Sequence, residues 1–238
     1  MEIFLNSGVN ASTSGEYGEL KLEKGSIATP WCPNNINTNI IYDTSGYCNN
    51  GTVIGNLNTI TPSPRYDVAA HLESSSPTTN DNTGLTYIQT AFRLTTPTQM
   101  TICWWGHPES ELGGNSNHAA WCTSASSSAP TDYDQTAFHH RDKRFDICLN
   151  SASSTSLSLT FNNYTLNEWH YYSVTYDGKI AILYKDGIET NRSTISSSEA
   201  PLKTFSYLYI GFSKAGGVYR KTLGSYSDFR IYATALSA

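Results

Sequence analysis

The sequence predicts an all-β protein, on three observations. Apolar and polar residues alternate at a period of two in one run after another. Asp-Gly pairs and glycine-rich stretches punctuate those runs. No stretch sets apolar residues at i, i+3 and i+4, as an amphipathic helix requires. At 238 residues, the chain is one large β domain, or one domain plus a fragment, and can bury a substantial core.

Taken in order, the first 35 residues differ from the rest. "GEYGELKLEKGSIATPWCPN" clusters Glu and Lys and ends at Pro30 and Pro33, which favour extended backbone. Residues 1–35 therefore read as a strand and a linker, and residues 36–238 as the main domain. "SSSPTTNDNTG" (Ser74 to Gly84) is a loop of small polar residues. In "MTICWWGH", Met100, Ile102 and Trp104 share one face, leaving Cys103, Trp105 and His107 on the other. "SELGGNSNHAA" (Ser110 to Ala120) and "CTSASSSAPTDYDQ" after Trp121 are again long loops, where binding residues concentrate. "SLSLTF" puts Leu157, Leu159 and Phe161 on one side. "WHYYSVTYDGKIAILYKDGIE" (Trp169 to Glu189) reads as three strands in a row. Tyr172, Val174 and Tyr176 form an inward face, and Asp177-Gly178 and Asp186-Gly187 are hairpin turns rather than acidic chemistry. "SYLYIGF" sets Leu208, Ile210 and Phe212 against Tyr207 and Tyr209. "SDFRIY" sets Phe229 and Ile231 against Asp228, Arg230 and Tyr232. Trp104 and Trp169 are assigned to the core.

Composition narrows the function. Charged residues make up 15% of the chain, against about 25% in an average soluble protein. Ser, Thr, Asn and Tyr fill the gap, a surface suited to exposed sheets and glycan-facing proteins. The net charge of −5 argues against a nucleic-acid partner, because phosphate binding needs a basic surface. No apolar run reaches the roughly 20 residues of a membrane helix, so no membrane partner is expected. The start, "MEIFLNSGVN", lacks the pattern of a signal peptide. The five cysteines, Cys32, Cys48, Cys103, Cys122 and Cys148, show neither a disulfide framework nor a CxxC zinc pattern. Buried thiols and production in a reducing cytoplasm fit them.

"WHYYSVTYDG", then "LYKDG", "LYIG" and a closing "DFRIYATALS", with "YDTSGYCNNGT" (Tyr42 to Thr52) upstream, resemble a concanavalin A-like, laminin-G-type domain. Together these motifs cover about Ile40 to Ala238. The resemblance implies a jelly roll of two antiparallel sheets packed face to face, one of them concave. "LKLEKGSIATPW" resembles the end of a module that precedes such domains in tail proteins of phages infecting Gram-positive bacteria. It implies a remnant of a longer tail fibre or baseplate protein. Such a protein is made in the bacterial cytoplasm, works outside it on the virion and joins other chains as a homo-oligomer. Calcium is common in the family; Asp43 and Asp228 occupy the matching positions, with Ser227 where relatives often carry a second acid.

Hydrolysis on this fold is also known, and it needs two carboxylates about 5 to 9.5 Å apart. Hydrolytic relatives supply them as E-x-D-x-E or E-x-D-x-x-E on one strand, and no such run occurs here. "ESE" (Glu109 to Glu111) and "DYD" (Asp132 to Asp134) lie in loops and lack the full set; no G-x-S-x-G elbow is present. A non-catalytic domain is expected, recognising bacterial surface polysaccharide. The alternatives are a structural spacer without a sugar site and a carbohydrate-binding module of a secreted glycosidase. Sugars are held by aromatic faces with a few polar groups beside them. Trp105 and His107, on the outward side of their strand, are the first candidates. Trp121, Tyr133, His139 and His140, in or beside the long loops, complete the set. His139 and His140 do not read as a metal pair, since neighbours on a strand point to opposite faces.

Overall fold

The alternating runs become strands in a computed structural model of the chain. It describes residues 3–4, 21–22, 40–41, 43, 45, 47, 49–60, 63–64, 69–73, 84–109, 119–125, 136–139, 144–147, 157–161, 163–195, 201–215 and 218–237. Contacts divide the chain into two compact units, Met1–Thr52 and Val53–Ala238. The boundary expected near residue 35 lies outside the described residues.

In the first unit, β1 (Ile3–Phe4) pairs antiparallel with β2 (Lys21–Leu22). β3 (Ile40–Ile41) pairs with Gly51 and Thr52 at the start of β4 (Gly51–Ile54). The second unit continues with β5 (Asn58–Ile60), β6 (Ala69–Glu73), β7 (Tyr87–Thr90), β8 (Met100–Pro108), β9 (Ala119–Ser124) and β10 (Ala137–His139). β11 (Arg144–Ile147), β12 (Leu157–Thr160), β13 (His170–Tyr176), β14 (Ile180–Lys185) and β15 (Ile188–Thr194) follow. β16 (Tyr207–Ile210), β17 (Phe212–Ala215), β18 (Val218–Lys221) and β19 (Leu223–Tyr232) complete it. The front sheet has seven strands in the order β15-β14-β13-β8-β19-β6-β5. The back sheet runs β12-β11-β10-β9-β16-β7-β4. The pairings described within both are antiparallel, and no helix occurs among the described residues. This is the expected two-sheet jelly-roll sandwich.

The inner faces meet in one aromatic core. Trp104 on β8 stands edge-on to Trp121 on β9, with ring centroids 5.5 Å apart at 80°, and lies 5.4 Å from Phe138 on β10. Tyr172, Phe161, Phe145, Val174 and Leu183 fill in around them, all fully or almost fully buried. Met100, Ile102 and Trp104 face inward as the alternation demands. On β14, the pairs Val174↔Leu183 and Tyr176↔Ala181 put Ala181 and Leu183 inside, so Ile180, Ile182 and Tyr184 face out, half-buried. Cys103 and Cys122 are buried thiols; the other three cysteines lie outside the described residues.

Both Asp-Gly pairs make turns. Asp177 Oδ1 accepts from the amides of Lys179 (2.9 Å) and Ile180 (2.6 Å), and Gly178 has φ +101. Asp186 and Gly187 both have positive φ (53 and 79), a two-residue loop between Lys185 and its partner Ile188. "SYLYIGF" departs from expectation at its end. Leu208 and Ile210 enter the main core, but Phe212 does not. It joins Tyr209 and Tyr87 in a separate cluster, stacked 4.8 Å from Tyr87. Gly211 is the reason: its φ of +87 breaks the alternation.

Candidate functional site

The outward face of the front sheet collects the residues that matter. Alternation turns Cys103, Trp105 and His107 of β8 away from the core, and antiparallel register places their neighbours. Trp105 is opposite Tyr171 on one side and Ser227 on the other. Its ring lies 5.3 Å from that of Tyr171. His107 is opposite Ser225, which is in turn opposite His71 on β6. His107 also has the Trp169 ring 5.3 Å away. Two ring pairs, Trp105–Tyr171 and His107–Trp169, thus lie side by side at one end of the sheet, all four half-buried.

Polar groups flank the rings. Ser225 is fully buried between the two imidazoles, and its small side chain lets them lean over it. His71 Nδ1 is 3.0 Å from Ser225 Oγ and 3.3 Å from Glu109 Oε1. His107 Nδ1 is 3.5 Å from the same Glu109 oxygen. One carboxylate oxygen therefore lies within ion-pair distance of two imidazoles, although His107 Nδ1 is buried and makes no hydrogen bond among the described residues. Beyond Trp105, Ser227 Oγ donates to Ser63 Oγ at 3.3 Å. Arg230 Nε donates to Asp228 Oδ1 at 2.6 Å, where a bulge between Ser227 and Arg230 holds Asp228 at φ +50. Burial pushes the Tyr171 phenol above its ordinary range, helped by its hydrogen bond with Cys103. It stays a neutral hydroxyl at any physiological pH.

The expected residues fare differently. Trp105 and His107 sit on this face. Trp121 does not: it is completely buried, with Trp104, Phe145 and Phe229 around it. Its position just after a long loop suggested exposure, but β9 is a central strand and turns the ring inward. Tyr133 and His140 lie outside the described residues, and of His139 only the backbone is described, paired with Arg144. Trp169 was assigned to the core but is half-buried beside His107. Its odd number, shared with Tyr171 and Ser173, was the signal that could have placed it outside. His71, Ser225 and Tyr171 were missed because cross-strand register, not local sequence, brings them here; Glu109 was read as part of a loop, although alternation puts it on the same face as His107, two residues earlier.

The two metal candidates are each held locally. In the first unit, Asp43 accepts from the amides of Ser45 (2.8 Å) and Asn49 (2.9 Å), one on each carboxylate oxygen. Its own amide donates to Asn50 Oδ1 at 2.9 Å. Burial opposes its ionisation, but these hydrogen bonds win and hold the carboxyl below its usual range. In the second unit, Asp228 carries the Arg230 guanidinium. Among the described residues no group of three or more His, Cys, Asp or Glu side chains is placed to hold a metal ion.

Comparisons with known proteins agree on the fold. The family model described as the concanavalin A-like lectin/glucanases superfamily, laminin G type, matches residues 82–238. No curated protein sequence matches the chain significantly. Among solved structures, the binding domain of Paraclostridial mosquitocidal protein 1 superposes with a TM-score of 0.58 at 12% identity, over 85% of this chain and 48% of that one. The binding domain of botulinum neurotoxin serotype D gives 0.57 at 15% identity, over 84% and 46%. Domain 4 of an extracellular arabinanase from Geobacillus stearothermophilus, solved with arabinotriose, gives 0.52 at 14% identity, over 82% and 86%. The chain spans about half the length of the two toxin domains.

Proposed function

The chain belongs to the concanavalin A-like lectin/glucanases superfamily, and we propose that its front-sheet face binds carbohydrate without cleaving it. The observation that carries this is the pair of ring contacts, Trp105–Tyr171 and His107–Trp169, with His71, Glu109 and Ser225 alongside. Aromatic faces cover the C–H faces of a sugar, while imidazole, carboxylate and hydroxyl groups bond its hydroxyls. The neighbours with named roles support a binding domain: two are binding domains of toxins, and one is an arabinanase domain solved with a trisaccharide.

The finer reading is a receptor-binding domain of a phage tail protein, carried on the virion and directed at polysaccharide on the bacterial surface. The N-terminal "LKLEKGSIATPW" supports it. One site of this kind binds weakly, and display on a homo-oligomeric parent would raise avidity by about 10²–10⁴ without new contacts. Calcium is a separate proposal, and the geometry around Asp43 and Asp228 fits it poorly, because both carboxylates already serve protein donors.

The test is adsorption to purified Gram-positive cell wall. Trp105→Ala and Trp169→Ala should each weaken it at least tenfold, the range for losing one stacked ring and its neighbours, while circular dichroism stays that of the parent. Unchanged adsorption in both would favour a spacer without a sugar site. Sugar release by the parent chain would show a hydrolase instead.

A further inference from the structure

Trp169 and Tyr171 flank His170, whose side chain points the other way and is unusually engaged. His170 Nδ1 lies 2.7 Å from Asp186 Oδ2. Its Nε2 lies 2.8 Å from Thr165 Oγ1 and 3.1 Å from Glu168 Oε2. Asp186 also grips the main chain beside it: Oδ1 accepts from the Tyr171 amide at 2.9 Å, and its own amide donates to Tyr171 O at 2.7 Å. The second Asp-Gly turn is therefore tied directly to the strand start that carries the platform rings. Lys185 Nζ, on β14, donates to Thr165 Oγ1 at 3.2 Å and to Asn163 O at 2.6 Å. The Tyr172 ring stands edge-on to the imidazole at 6.2 Å.

Resting on the carbohydrate-platform reading, we propose that His170 is a positioning residue and that its protonation sets how firmly Trp169 is held. The reason is donor arithmetic. A neutral imidazole has one N–H, yet acceptors face both ring nitrogens. With Nδ1–H given to Asp186, the neutral ring turns a lone pair toward Glu168. Thr165 can then donate its hydroxyl to Nε2, but Glu168 is repelled. The imidazolium has two N–H groups and engages Asp186 and Glu168 together. Glu168 immediately precedes Trp169, so its capture fixes the backbone on which the indole sits. The hydrogen bond with His170 holds the Glu168 carboxyl below its usual range, with Thr165 adding to it. The Lys185 ammonium acts in the same direction on that carboxyl, as a smaller effect. The sign follows: the Glu168 contact is made by the imidazolium and is lost when that proton leaves.

Two further imidazoles, His71 and His107, lie beside Trp169 on the outward face, so the test must separate them. In ¹⁵N-labelled protein the Trp169 indole N–H resonance, assigned with Trp169→Phe, should move between pH 5.5 and 8. Glu168→Gln, at a side chain 61% exposed, should keep the fold and flatten the movement, since an amide can donate to a neutral ring. His170→Gln should abolish it. Movement that is unchanged in Glu168→Gln or His170→Gln would trace to His107 and overturn the proposal, as would a resonance that never moves in the parent chain. Adsorption to purified Gram-positive cell wall should be about threefold tighter at pH 5.5 than at pH 8, the scale of one charged hydrogen bond partly lost. Glu168→Gln should narrow that ratio, and an equal ratio in both would also overturn it. A parent chain that adsorbs at neither pH removes the carbohydrate reading and leaves the indole resonance to decide the anchor.

Discussion

Two tryptophans close in sequence space divide the labour of this protein. Trp104 and Trp105 are adjacent, so strand alternation forces one into the core and the other onto the outward face. Trp121 belongs with the first. It is completely buried against Trp104 and Phe145, so Trp121→Ala should cost about 3–5 kcal/mol. Trp105→Ala, at a half-buried ring, should cost far less. Urea denaturation of the two variants checks this; equal losses would mean that Trp105 is also a packing residue. The core carries a polar residue of its own. The indole N–H groups of Trp104 and Trp121 and the Tyr172 hydroxyl are buried and find no hydrogen-bond partner among the described residues.

At the scale of elements, glycine positions separate turns from crossings. Gly187, in the β14–β15 turn, has φ +79 and open space where a side chain would go. Gly211, after β16, has φ +87, and a Cβ there would come within 2.5 Å of Leu72 Cδ1. Gly187→Ala should therefore cost about 1 kcal/mol, the strain of positive φ alone. Gly211→Ala adds a clash with a fully buried leucine and should cost more. It should also disturb the stacking of Phe212 on Tyr87. Chemical denaturation gives the ranking, and a Gly211→Ala loss no greater than that of Gly187→Ala would contradict the crowding seen at Leu72. The same scale explains the Asp-Gly pairs. Asp177 caps its own turn, whereas Asp186 both shapes a turn and holds His170 and Tyr171.

For the whole molecule, calcium is the question the fold raises most directly. An ion at Asp228 would have to share that carboxylate with the Arg230 guanidinium, and one at Asp43 would have to share it with two turn amides. The expected result is that a chelator leaves Tm unchanged. A drop of several degrees would establish a bound ion, because a ligand of the native state stabilises it by mass action. Much of the fold was legible: the strands around Met100–His107, Leu157–Phe161 and Trp169–Glu189 follow from period-two patterning and Asp-Gly turns. The face assignment of Trp105 and His107 was legible for the same reason. Trp121 was misplaced because the loop before it was extended over the start of β9, in which it is the third residue, and Trp169 because it stands just ahead of β13, where sequence does not show which way a ring turns.

The sequence by itself determined that the chain is β throughout, where its hairpins turn and which family its motifs resemble, because these follow from local alternation and from turn residues a few positions apart. Only the tertiary structure decided the site. His71 and Ser225 come from β6 and β19, and they meet His107, beside Glu109 just past the end of β8, because an intervening strand presents a serine small enough for two imidazoles to close over it. Register across strands far apart in sequence sets that meeting, and local pattern carries no record of it.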